Sequence, residues 1–127
     1  MNRFILRHVE SGIQFTLYSQ SGRALAVSKP YATLDACKKA IRALMLHAPT
    51  APAVTADKPH SNPKFELLTV DGGICYALKA PNGKIVLTSA PFATQKACLR
   101  ALAMLRTGVR DATVWLEQYR TLLPLKI

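Results

Sequence analysis

Shifted by 61 positions, the sequence aligns with itself without a gap. Phe4-Ile5-Leu6-Arg7-His8-Val9-Glu10-Ser11-Gly12-Ile13 is answered by Phe65-Glu66-Leu67-Leu68-Thr69-Val70-Asp71-Gly72-Gly73-Ile74. Ser28, Pro30, Ala32, Thr33, Ala36, Cys37, Ala40 and Leu44 recur as Ser89, Pro91, Ala93, Thr94, Ala97, Cys98, Ala101 and Leu105, and Tyr31 is answered by Phe92. A duplication of this length constrains the fold more than any other feature. Each copy must be one supersecondary unit, and small units bury their apolar faces against each other.

Each copy predicts the same elements. Phe4 and Leu6 alternate with Ile5 and Arg7, the period of a strand. Glu10-Ser11-Gly12 and Asp71-Gly72-Gly73 read as hairpin turns. Second strands follow near Ile13 to Ser19 and Ile74 to Ala80, and third strands near Arg23 to Ser28 and Lys84 to Ser89. Between them lie the turns Gln20-Ser21-Gly22 and Pro81-Asn82-Gly83. Pro30 and Pro91 end the ladder, having no N–H to donate. Thr33 and Thr94 are the natural N-caps of amphipathic helices. Cys37, Ala40, Ile41 and Leu44 form one apolar stripe, and Cys98, Ala101, Leu102 and Leu105 form the other. The first helix should end near His47, and Gly108 is the expected C-cap of the second.

The expectation is an α+β protein of two tandem βββα repeats, antiparallel sheets each backed by one helix, in a pseudo-two-fold arrangement. Residues 1–48 are the first repeat, 49–63 a Pro-rich linker, 64–109 the second repeat, and 110–127 a C-terminal extension packing on the body. Trp115, Tyr119 and Leu122 have helical spacing, but the 61-residue offset places Ala112 opposite Ala51 and favours an extended start. The second sheet face also carries apolar residues: Ile5 and Val9, then Leu68, Val70 and Ala77. Such faces want cover, and the twin repeat or the tail is expected to supply it.

Several of these features resemble a known family. They are a Phe-led strand, an acidic-Gly turn, Lys79-Ala80-Pro81-Asn82-Gly83-Lys84, a strand closing on Ser-x-Pro-aromatic, and a helix opening Thr-x-x-Ala. Together they look like the YegP-like family of small bacterial proteins. The resemblance covers about residues 3–48 and 64–109 and is clearest in the second copy. It implies a fold, and brings no accepted activity and no catalytic residues.

Composition narrows the function. The formal charge is +10, with eight basic residues against three acidic in 1–63 and nine against four in 64–127, the same excess in each half. An even excess attracts polyanions weakly without forming a basic tail. The start breaks its apolar run at Arg7 and His8, so no signal peptide is read there, and a cytoplasmic setting is expected. Three cysteines without CxxC spacing suggest neither a disulfide framework nor a zinc site. Cys37 and Cys98, each among Ala and Leu, read as buried hydrophobes rather than thiolate nucleophiles. His8 and His47 are not duplicated and have no evident Cys, Ser or Asp partner. No catalytic residue, cofactor-binding residue or metal ligand is therefore assigned, and no enzyme is expected.

The resulting expectation is a non-enzymatic interaction or accessory module, with a protein partner or self-association and no membrane. An alternative is a nucleic-acid-binding module that touches phosphates through basic helix faces, Lys38, Lys39 and Arg42 on the first helix and Lys96, Arg100 and Arg106 on the second. A third reading, a thiol enzyme or redox protein on Cys37 and Cys98, has the least support.

Overall fold

The computed structural model describes residues 2–117 and 121–123. The elements are β1 (Arg3–Val9), β2 (Gly12–Tyr18), β3 (Ala24–Val27), α1 (Leu34–His47), β4 (Ala53–Thr55), β5 (Lys64–Val70), β6 (Gly73–Lys79), β7 (Ile85–Thr88), α2 (Gln95–Gly108), β8 (Thr113–Leu116) and β9 (Thr121–Leu123). The fold is α+β: two helices and one mixed sheet in the order β4-β5-β6-β7-β3-β2-β1-β8-β9.

Local chemistry explains the boundaries. Thr33 Oγ1 accepts from the Ala36 N–H, and Thr94 Oγ1 from the Ala97 N–H, both at 3.1 Å. These bonds start the two helices where the sequence placed the caps. Ser28 is buried after β3; its hydroxyl accepts from Phe15 N–H at 3.0 Å and donates to the Lys29 carbonyl at 2.8 Å. Ser89 does the same for Tyr76 and Ala90, each at 3.0 Å. A polar side chain so placed costs little to bury, because its hydrogen bonds are made. Isolated bridges then tie Ile13 to Tyr31 and Ile74 to Phe92. A Cβ on Gly12 would meet the Tyr31 carbonyl, and one on Gly73 the Phe92 carbonyl, so both positions exclude a side chain.

Phe4, Leu6, Phe15, Leu17, Phe65, Tyr76 and Leu78 point to one face and are buried there with Cys37, Ile41 and Leu44 of α1 and Cys98, Leu102 and Leu105 of α2. Both helices thus cover the same side of the sheet. Phe15 stacks on Tyr31 and Tyr76 on Phe92, each pair with centroids 6.4 Å apart.

The structure corrects three expectations. First, the β1–β3 and β5–β7 strand sets do not lie face to face. They join edge to edge through Val27 and Thr88 of β3 and β7, so the second sheet face is not covered by the other strand set. Second, the stretch 49–63 holds a strand. β4 follows α1 and pairs in parallel with β5, Ala53 with Phe65 and Thr55 with Leu67. β8 follows α2 and pairs in parallel with β1, Phe4 with Val114 and Leu6 with Leu116. Each helix therefore hands its trailing strand to the other strand set. The helical spacing of Trp115 and Leu122 is not used, since both lie in strands; Tyr119 lies outside the described residues. Third, Gly108 is the last residue of α2, and the cap is Val109, whose N–H donates to the Leu105 carbonyl at 3.0 Å.

Candidate interaction surface

Side chains alternate across a strand, so the face opposite the helices can be read from the register. One row crosses it from β8 to β4: Trp115, Ile5, Thr16, Val27, Thr88, Ala77, Glu66 and Val54. Residues 61 apart occupy mirrored places in this row. The two ends differ in chemistry.

At the β5–β6 end, Glu66 lies between two lysines. Lys79 Nζ is 3.1 Å and Lys64 Nζ 3.6 Å from Glu66 Oε2. The Glu66 and Lys64 side chains are each only 12% exposed. This end neutralises itself. At the β1–β2 end the matching positions are Arg3 for Lys64, Ile5 for Glu66, Tyr18 for Lys79 and Trp115 for Val54. The carboxylate is gone and two aromatic rings have come in. Arg3 is exposed and makes no ion pair or side-chain hydrogen bond with the described residues.

These residues line a cavity of about 460 Å³ with Arg7, Gly22 and Glu117. Arg7 grips Glu117 in a bidentate pair, Nε to Oε2 at 2.6 Å and Nη2 to Oε1 at 2.9 Å. Glu117, and after it the Tyr18 hydroxyl, hold the Arg7 guanidinium charged and raise it above its ordinary value. The bond from Arg7 in turn holds the Glu117 carboxyl below the usual carboxylate range. Trp115 Nε1 donates to Thr113 Oγ1 at 2.8 Å, which fixes the indole on the face. The cavity therefore offers a guanidinium without a partner among the described residues, two half-buried aromatic rings and an aliphatic floor at Ile5.

The basic helix residues differ in exposure and contacts. Lys39, Lys96 and Arg100 are exposed, and Lys38 is half-buried. Arg42 is half-buried and already engaged. Arg106 is half-buried and engaged within the fold. Its Nη2 donates to the Ala51 carbonyl, and its guanidinium lies 5.4 Å from the Phe65 ring centroid. It joins α2 to the start of β4 and to β5.

The thiols follow their expected places. Cys37, Cys75 and Cys98 are all buried and unbonded. Burial pushes the Cys37 thiol up to about 12, and burial together with Cys75 pushes Cys98 up. Neither is poised as a thiolate. No helix among the described residues is long and apolar enough to cross a membrane.

A family model described as a domain of unknown function, DUF1508, matches residues 11–54. Two solved structures share the fold. One is the solution NMR structure of the protein of unknown function yegP from E. coli, with a TM-score of 0.75, 21% identity, and 89% of this chain and 90% of that chain covered. The YegP-like resemblance is borne out. The other is the solution NMR structure of a UPF0339 protein from Shewanella oneidensis, with a TM-score of 0.74, 15% identity, and 89% of this chain and 88% of that chain covered. No curated protein matches. At these identities the YegP-like structures establish the fold alone.

The Arg3 cavity was not legible in the YegP-like pattern because its walls come from distant parts of the chain. Arg3 and Trp115 meet only when β8 lies beside β1. A signal was nonetheless present: 61 positions before Glu66 the sequence has Ile5, and 61 before Lys79 it has Tyr18.

Proposed function

We propose that the chain is a non-enzymatic interaction module built from two βββα units, residues 1–48 and 64–109, related by a pseudo-two-fold axis through the β3–β7 seam. Its binding surface is the sheet face around β1. The observation that carries this is the difference between the two ends of one sheet row. Glu66 neutralises its own lysines, whereas Ile5 leaves Arg3 beside Trp115 and Tyr18 with no carboxylate at the matching position, the cavity's Glu117 being taken by Arg7. A face that only needed solvating would have no use for two aromatic rings around a guanidinium that has no ion-pair partner among the described residues. Three buried free cysteines suit a reducing compartment, and we place the protein in the cytoplasm.

The test is capture of partners by the full chain, with and without nuclease, comparing wild type with Ile5→Glu and with Lys39→Gln/Arg100→Gln. Ile5→Glu gives the β1 end the carboxylate that the β5 end already has. The expected result is loss of captured material with Ile5→Glu and retention with the helix variant. The reverse pattern would move the interaction to the helix side and restore the basic-helix alternative, on its remaining residues Lys38, Lys39, Lys96 and Arg100.

A further inference from the structure

We infer that the cavity beside Arg3 is a site for one nucleotide of a single-stranded nucleic acid, the base stacking on Trp115 and Tyr18 over Ile5 and the phosphate held by Arg3. This rests on the sheet-face surface proposed above and names its partner.

Three observations point to this class of ligand. The first is charge: the protein carries +10, and Arg3 is a cation on this face without an ion-pair partner among the described residues. A guanidinium presents a planar fork that matches a phosphate. The second is the placement of the rings. Trp115 stands on β8, opposite Ile5, and Tyr18 on β2, opposite Arg3, so they flank β1 from its two sides. Neighbouring strands are about 4.8 Å apart and successive residues rise about 3.4 Å, so the two ring-bearing positions, two residues apart along β1, are roughly 12 Å apart at their backbones. Rings in van der Waals contact with both sides of a flat ligand need about 7–8 Å between them. Side chains that lean from these positions toward Ile5 close that distance enough to hold one planar ring between them.

The third observation is size. About 460 Å³ accommodates a single base with part of its sugar. Bases in a duplex are stacked on each other and paired, so they present no free ring face to this cavity. An unpaired strand does. Aromatic platforms with a cationic flank bind single strands with little sequence preference, because every base has a π-face. Arg7 is held by Glu117 and so serves as a wall rather than as the phosphate contact.

Trp115 is the sole tryptophan of the chain, so its emission reports the site directly. The experiment titrates the full-length protein with a ten-nucleotide oligo(dT) and a ten-nucleotide oligo(U). A duplex of equal length serves as a control. The readouts are tryptophan fluorescence and the anisotropy of a labelled strand. Expected are saturable quenching by the single strands and weaker binding of the duplex. Arg3→Gln should lower the salt slope by about 0.7. Trp115→Ala should weaken binding about 5- to 150-fold, the equivalent of losing one stacked base. Ile5→Glu, whose fold is checked by its melting curve, should weaken it as well and does not depend on Trp115→Ala folding.

Single-strand binding without quenching, or binding that survives Ile5→Glu and Arg3→Gln, would overturn the inference. So would a duplex held as tightly as the single strand. Absence of nucleic-acid binding, with Ile5→Glu still abolishing nuclease-resistant capture, would overturn the nucleotide site and leave the sheet-face surface standing. If Ile5→Glu changes neither measurement, both fall.

Discussion

The Tyr76 hydroxyl donates to the Leu25 carbonyl at 2.8 Å, a buried bond between residues 51 positions apart. Leu25 belongs to β3 and Tyr76 to β6, so the bond spans the seam where only Val27 and Thr88 pair. Position 15, the counterpart of Tyr76, is Phe, and its stacking partner Tyr31 carries the hydroxyl instead.

Tyr76→Phe should therefore weaken the seam while leaving the Tyr76–Phe92 stacking geometry in place. It removes a buried donor and leaves the Leu25 carbonyl with one bond fewer. The expected loss is about 1–3 kcal/mol, read from urea unfolding monitored by circular dichroism. Tyr31→Phe, at a half-exposed position, should cost less. Equal costs would mean that the seam bond contributes nothing.

Arg106 and Lys96 both lie on α2, and the structure separates them. Arg106→Gln loses the Ala51 carbonyl contact and the approach to Phe65. It should destabilise the fold by about 1–3 kcal/mol. Lys96→Gln, fully on the surface, should stay within about 0.5 kcal/mol. Paired thermal melts of the two variants decide this.

Alkaline pH should expose the buried thiols. Cys37 in the folded protein is pushed up to about 12, while an unfolded cysteine ionises near about 8.5. The folded pKa is the higher one, so the stability this thiol contributes is fully present below about pH 8.5 and is lost progressively as pH rises toward its folded value. Cys37→Ala should flatten that part of the stability–pH curve. Reaction with a thiol reagent at pH 8 should require unfolding for all three cysteines, given their burial.

Residues 64–109 alone should show no cooperative unfolding transition. The fragment lacks β4, leaving the Phe65 edge of β5 without its parallel neighbour, and lacks β3 on the β7 side. A unit of that size buries too little surface to fold by itself. A cooperative monomeric transition in urea would contradict the exchange of trailing strands as a stabilising feature.

Much of this fold was legible because local chemistry agrees with it. Thr33 and Thr94 cap, Pro30 and Pro91 end ladders, and Phe4, Leu17, Cys37 and their counterparts point inward. β4 was missed because Ala53–Thr55 is too short to show a period and lies between Pro49 and Pro59. β8 was ambiguous because Trp115 also fits a helical spacing. Its strand state comes from pairing with β1, 110 residues away, and no local signal carries that. The expectation of a face-to-face cover failed for a similar reason. The apolar residues of the outer face were counted correctly, but β3 and β7 each had a free edge, and edges left unpaired seek a strand.

The pairing of Arg3 with Thr113 sets a timetable for the newborn chain. β1 leaves the ribosome 110 residues ahead of β8 and can form its hairpin with β2 at once. Its other edge stays open until β8 has been translated. At about 5–20 residues per second, that wait lasts several seconds or longer. Throughout it, the strand bearing Arg3, Ile5 and Arg7 presents a bare row of amides, and the half-built protein depends on whatever shields that row from neighbouring chains. A stop codon ahead of Thr113 would leave the row bare permanently.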